Sequence, residues 1–115
     1  TNLLNDERGR WILSKEHNDQ HNEYSVSGIV NSKLINGILD RTFIDKNGIR
    51  WIIDYKTSRH EGGGVDAFLD EQQQRYQPKL EQYAVLMEGL GEKNIKLGLY
   101  FPLLNGWREW EYQKK

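Results

Sequence analysis

Two aspartates and a lysine, Asp40, Asp54 and Lys56, are the residues whose types and spacing could do chemistry together. Each aspartate sits in an apolar, β-rich run, Leu34 to Ile44 for the first and Ile49 to Thr57 for the second. Side chains of paired strands share a face only when the connecting turn sets the right parity. The turn signal between the runs is Asp45-Lys46-Asn47-Gly48. A three-residue loop, Lys46-Asn47-Gly48, with glycine in the left-handed position is a common hairpin connection, and it places Asp45 opposite Ile49. Counting back along both strands, Asp40 faces Asp54, with β-carbons about 4.5 to 5.5 Å apart. Lys56 projects on the same side, two residues further along. Opposed carboxylates repel, and among Ile, Leu, Phe and Trp the loss of water makes both charges costly. A divalent cation resolves the conflict, because Mg²⁺ takes a few carboxylate oxygens, keeps several waters and can hold a phosphate oxygen in the same shell. Lys56 adds a point cation able to orient a water or to stabilise charge developing on phosphorus. The bland reading of the same residues is a surface ion network in which Asp54 pairs with Arg41 or Lys56.

Such a hairpin needs partners to be stable. The run Arg10 to Ser14 reads as a short strand and the polar stretch Lys15 to Glu23 as a loop. Tyr24 to Asn31 reads as a strand paired with Leu34 to Ile44 through a turn near Asn31 to Lys33. After Ser58, Gly62-Gly63-Gly64 marks a mobile loop over the site; it lacks the G-K-[ST] ending of a phosphate cradle. Asp66 is the expected N-cap of a helix, and Pro78 is expected to open a second one. In that second helix Leu80, Tyr83, Ala84, Met87 and Leu90 form a stripe, stopped by Gly89 and Gly91. Ile95 to Phe101 and Trp107 to Tyr112 read as closing strands around Pro102 to Gly106. The order predicts an α/β or α+β domain spanning residues 1–115.

Three segments, Gly37-Ile38-Leu39-Asp40-Arg41, Trp51-Ile52-Ile53-Asp54-Tyr55-Lys56-Thr57 and Tyr76 to Tyr83 (YQPKLEQY), resemble the RecB-type nuclease domain of the PD-(D/E)XK, restriction-endonuclease-like superfamily. The D-Y-K-T element, 14 residues after the first aspartate, is the most specific part. The resemblance implies a mixed β-sheet with flanking helices, and it implies that the family's N-terminal helix is missing from this fragment. It implies a Mg²⁺- or Mn²⁺-dependent DNA nuclease at the end of a longer helicase-nuclease, acting in DNA end processing and recombinational repair. DNA, the helicase domain of the same polypeptide and a partner subunit are the implied partners. Asp40 and Asp54 would hold the metal with the Tyr55 carbonyl, Lys56 would position the attacking water, and Tyr83 would be the helix tyrosine of the site. Lys79 occupies the position of the family's glutamine and cannot accept a hydrogen bond. Glu23, ahead of His17 and His21, is the best stand-in for the upstream ligand. An alternative within the same resemblance is a catalytically inactive module that guides DNA or contacts a subunit.

Arg41, Arg59, Arg75 and Lys79, with His60, flank the site in sequence and form the expected phosphate-binding rim. Trp11, Trp51, Trp107 and Trp110 could stack on bases, although Trp11 and Trp51 suit a core better. Sixteen basic against seventeen acidic residues leave no overall field to gather a polyanion, so contact with DNA must be local. No apolar run approaches the length of a membrane span, and the absence of cysteine excludes a disulfide framework and thiolate metal sites. A cytoplasmic location is the expectation. No Ser-His-Asp order, cysteine nucleophile or H-E-x-x-H motif is present.

Overall fold

The branched and aromatic runs form five strands of one sheet. In the computed structural model, which describes residues 6–60 and 63–113, α1 (Glu7–Leu13) precedes β1 (Asn18–Val30), β2 (Lys33–Ile44) and β3 (Arg50–Tyr55). Then come α2 (Val65–Gly89), β4 (Ile95–Phe101), a 3-10 turn (Pro102–Leu104) and β5 (Gly106–Glu111). The sheet order is β1-β2-β3-β4-β5. β3 and β4 are parallel and the other pairs antiparallel, so this is a mixed α/β sheet with α2 as the crossover. None of the helices formed by the described residues is long and apolar enough to cross a membrane.

Parity assigns the two faces. Ile52, Leu97, Leu99 and Phe101 pack with Leu69, Leu80, Tyr83, Ala84 and Met87 of α2. Their sequence neighbours Trp51, Ile53 and Tyr100 pack with Phe43 and with Ile12 of α1. β4 is therefore buried on both faces, as expected of a strand inside a covered sheet.

Two expected elements ahead of β2 differ. Residues 10–13 are the C-terminal part of a helix with Ser14 as its C-cap, not a strand, so a helix does precede the first strand. A three-residue apolar run does not distinguish the two, and the Asp6 side chain decides by capping the Arg8 N–H. The polar stretch expected as a loop is strand from Asn18 onward, because β1 is an edge strand whose exposed positions accept polar residues.

The helical region is one helix rather than two, with Pro78 inside it and Gly64, at φ 79°, as its N-cap in place of Asp66. An interior proline costs roughly 3 kcal/mol. Buried Leu69 on one side of it and Leu80, Leu86 and Met87 on the other each contribute about 1.5 to 3 kcal/mol. Packing against one sheet thus outweighs the break. Gly62 of the expected loop lies outside the described residues.

The β2–β3 turn has the expected form. Asp45 N–H donates to the Ile49 carbonyl at 2.9 Å, and Gly48 sits at φ 80°. The Asp45 carboxylate accepts the amides of Asn47 and Ile49 and the Trp51 indole N–H, at 2.9 to 3.0 Å. Burial pushes this carboxyl up, but the three donors outweigh it and leave it below its usual value of 3.8. A depressed carboxyl contributes stability that is present above its unfolded pKa and lost as pH falls through the folded one. Asp45→Asn is accordingly expected to lower the Tm at pH 7, with the gap to wild type closing as melts are repeated toward pH 3; a gap independent of pH would contradict this.

Candidate active site

The pairing of β2 with β3 runs from Ile44↔Arg50 to Arg41↔Ile53, the register in which Asp40 comes opposite Asp54. Hydrogen-bonded pairs alternate along an antiparallel ladder, so from Asp45↔Ile49 the next one past Arg41↔Ile53 would join Leu39 to Tyr55. Instead the Asp40 carboxylate accepts the Tyr55 N–H at 2.8 Å. A side chain has replaced a ladder carbonyl, and β2 parts from β3 at that point.

The same level of β2 marks a change of face. Leu39 packs on the α2 side and Phe43 on the α1 side, although alternation alone would keep them together. Glu23, which falls opposite Asp40 in the β1–β2 register, takes φ 50° here. The twist that follows leaves Asp40 in a fork between the departing hairpin arm and the end of β3.

Asp54, Asp40 and Lys56 meet in this fork. Lys56 Nζ lies 2.7 Å from an Asp54 oxygen, the two side chains being 19% and 26% exposed. Burial pushes the Asp40 carboxyl above its usual range and the neighbouring Asp54 carboxylate pushes the same way; the Tyr55 N–H and Lys56 oppose them. Tyr55 sends its N–H toward Asp40 and Lys56 sends its own to the Tyr100 carbonyl of β4. In extended backbone the N–H and C=O of one residue leave on the same side, so the Tyr55 carbonyl is on the Asp40 edge.

A carboxyl raised by its neighbours adds stability that is fully present below its unfolded pKa and lost as pH rises through the folded one. Asp40→Asn keeps an oxygen for the Tyr55 N–H and removes the charge. It is expected to melt higher than wild type at pH 7, with the difference vanishing at acid pH; a lower Tm at pH 7 would contradict the strained pair.

Not every expected residue belongs to the site. Arg41 is 3% exposed. Its guanidinium donates to the carbonyls of Ile12 and Ser14, to Asn22 and to Gln20, at 2.9 to 3.2 Å. It ties α1 to the edge of the sheet and cannot serve a phosphate rim. Tyr83 is 8% exposed and packs its ring on Gly37, where an added Cβ would lie 2.3 Å from Cε1. It belongs to the sheet–helix interface. The helix residue that reaches the cluster is Tyr76, seven positions earlier, whose ring centroid is 3.5 Å from Lys56 Nζ. The signal for it was present in the stripe Tyr76, Leu80, Tyr83, Met87, which reads as core from spacing alone.

Arg59, Arg75 and Lys79 are exposed, and the Arg75 guanidinium lies 6.0 Å from the same Tyr76 ring. His60 stacks on Phe68. Glu23 is exposed, and among the described residues no three His, Asp or Glu side chains gather into a metal-holding group. His17 stacks on Phe43 and bonds the Trp11 carbonyl, and His21 bonds Asp19. Asp6 of the leading helix accepts the Tyr100 hydroxyl on the α1 side, and burial, with that carboxylate beside it, raises the phenol well above its usual range. Trp11 packs edge to face on both Trp51 and Trp107, which tilt against each other.

Two neighbouring carboxyl groups and a backbone carbonyl are hard oxygen donors, the kind of ligand taken by a cation such as Mg²⁺ that keeps most of its water. No protein-family model and no curated protein matches the chain. Among solved structures, the crystal structure of SSO0001 is similar, with a TM-score of 0.49 and 22% identity over 84% of this chain and 43% of that one. The chain thus spans less than half of that neighbour's length, and a likeness of this size says nothing about activity.

Proposed function

We propose that this chain is a restriction-endonuclease-like nuclease domain that hydrolyses DNA phosphodiester bonds with Mg²⁺ or Mn²⁺, as the nuclease part of a longer helicase-nuclease. The observation that carries the reading is the fork itself: two carboxyl groups close enough for one to raise the other at the parting of two strands, with an ammonium 2.7 Å from one of them. For stability alone, a charge pair of this kind has no advantage over apolar residues.

Asp40, Asp54 and the Tyr55 carbonyl would hold the cation. When bound, it supplies charge neutralisation at the phosphate and a more acidic water. The chain's own residues do the rest. Lys56, charged and with three donors, orients the attacking water in line with phosphorus and stabilises charge developing on the phosphoryl oxygens. The Tyr55 N–H fixes one Asp40 oxygen and leaves the other for the cation. Exposed Arg59, Arg75 and Lys79 grip the DNA backbone, which carries no sequence information, so cleavage is expected to be largely independent of sequence.

Incubation of the protein with single-stranded DNA tests the reading. Degradation with Mg²⁺ or Mn²⁺, abolished by chelator, is expected. The second reading, an inactive guiding or subunit-contact module, is favoured by exposed Lys79 in place of the glutamine, and it requires DNA binding that chelator does not alter and no cleavage.

A further inference from the structure

Lys56 has a neighbour on each side. Asp54 takes it as an ion pair at 2.7 Å, and the face of Tyr76, from α2, lies 3.5 Å from the same nitrogen. An aromatic face attracts an ammonium through its quadrupole and uses up none of its three N–H donors. The two contacts differ in what remains once the site is at work. If Asp54 turns its oxygens to a cation, the ion pair weakens, whereas the ring contact is unaffected. Tyr76 is half-buried and lies on the same helical stripe as Leu80 and Tyr83, which are locked into the core. The ring is thus fixed by the packing of α2 on the sheet, and Lys56 is fixed by the ring.

Resting on the nuclease reading, we propose that Tyr76 is a positioning residue that holds the Lys56 ammonium at the reacting phosphate. The docking of α2 thereby becomes part of the catalytic geometry. The phenol hydroxyl has no part in this, since the ring face alone makes the contact.

Tyr76→Phe and Tyr76→Leu separate the ring from mere bulk. In the metal-free protein, NMR of the lysine side chains is expected to find the Lys56 methylene protons next to Nζ shifted upfield by the ring current. The shift is retained in Tyr76→Phe and lost in Tyr76→Leu. In cleavage assays Tyr76→Leu is expected to lower kcat by about three- to tenfold with KM changed by less than about twofold, and Tyr76→Phe to match wild type. Melting curves identify any variant that fails to fold, in which case Tyr76→Met replaces Tyr76→Leu. Random-coil shifts for Lys56 in the wild type, or equal kcat in the Leu and Phe variants, would overturn the positioning role alone. An intact ring-current pattern in a wild-type protein that cleaves no DNA would overturn the nuclease reading, and the proposed role with it.

Discussion

Asp54→Asn and Lys56→Ala are each expected to slow phosphodiester cleavage by about 10²- to 10³-fold, the usual cost of removing one preorganised charge from a site of this type. The folded state is expected to tolerate both. Asp54→Asn relieves the repulsion with Asp40, and water reaches the half-buried Asp54–Lys56 pair when Lys56→Ala breaks it. Activity and stability therefore separate, as they do where charges are retained for chemistry rather than for folding. Single-turnover cleavage of a labelled oligonucleotide, alongside thermal melts of the same preparations, checks this. A loss below threefold in both variants, or a fall in Tm that accounts for the lost activity, would contradict it.

Arg41→Ala is expected to do the opposite. Its guanidinium satisfies the Ile12 and Ser14 carbonyls, the Asn22 and Gln20 side chains, and lies over the Phe43 ring. Truncation leaves the buried Ile12 carbonyl and the partly buried Ser14 and Gln20 acceptors without their donor and opens a gap beneath α1. Each abandoned group costs about 1 to 3 kcal/mol, so a loss on the order of 3 kcal/mol in urea unfolding is expected. Lysine cannot restore the fork of donors, and Arg41→Lys is expected to recover little of it. DNA affinity of the folded fraction is expected to be unchanged, whereas Arg75→Ala and Lys79→Ala reduce it. A variant of wild-type stability that binds DNA weakly would place Arg41 on the rim after all.

Asp40 and Arg41 stand next to each other in the sequence and illustrate what a sequence discloses. The register that sets Asp40 opposite Asp54 was legible because Lys46-Asn47-Gly48 suits a common three-residue turn, and a turn fixes parity along both strands. The fate of Arg41 was not legible, because basic residues beside an acidic site look alike whether they face solvent or carry the weight of a helix. Its burial follows from α1, and α1 was hidden in a run of three apolar residues too short to carry a period. Tyr76 was overlooked for a related reason. A tyrosine on a buried stripe has one apolar role and one chemical role at the same spacing, and only the end of β3 lying beneath it distinguishes them. Pro78 misled because local cost was weighed without the sheet that repays it.

The central claim is that the Asp40–Asp54 fork is a seat for a divalent cation, and titration of the protein with Mn²⁺, followed by electron paramagnetic resonance, tests it without relying on turnover. One ion per chain is expected to bind the wild type, with affinity reduced at least tenfold in Asp40→Asn and in Asp54→Asn and competed away by Mg²⁺. Equal binding in all three proteins, or none in the wild type, would contradict the account.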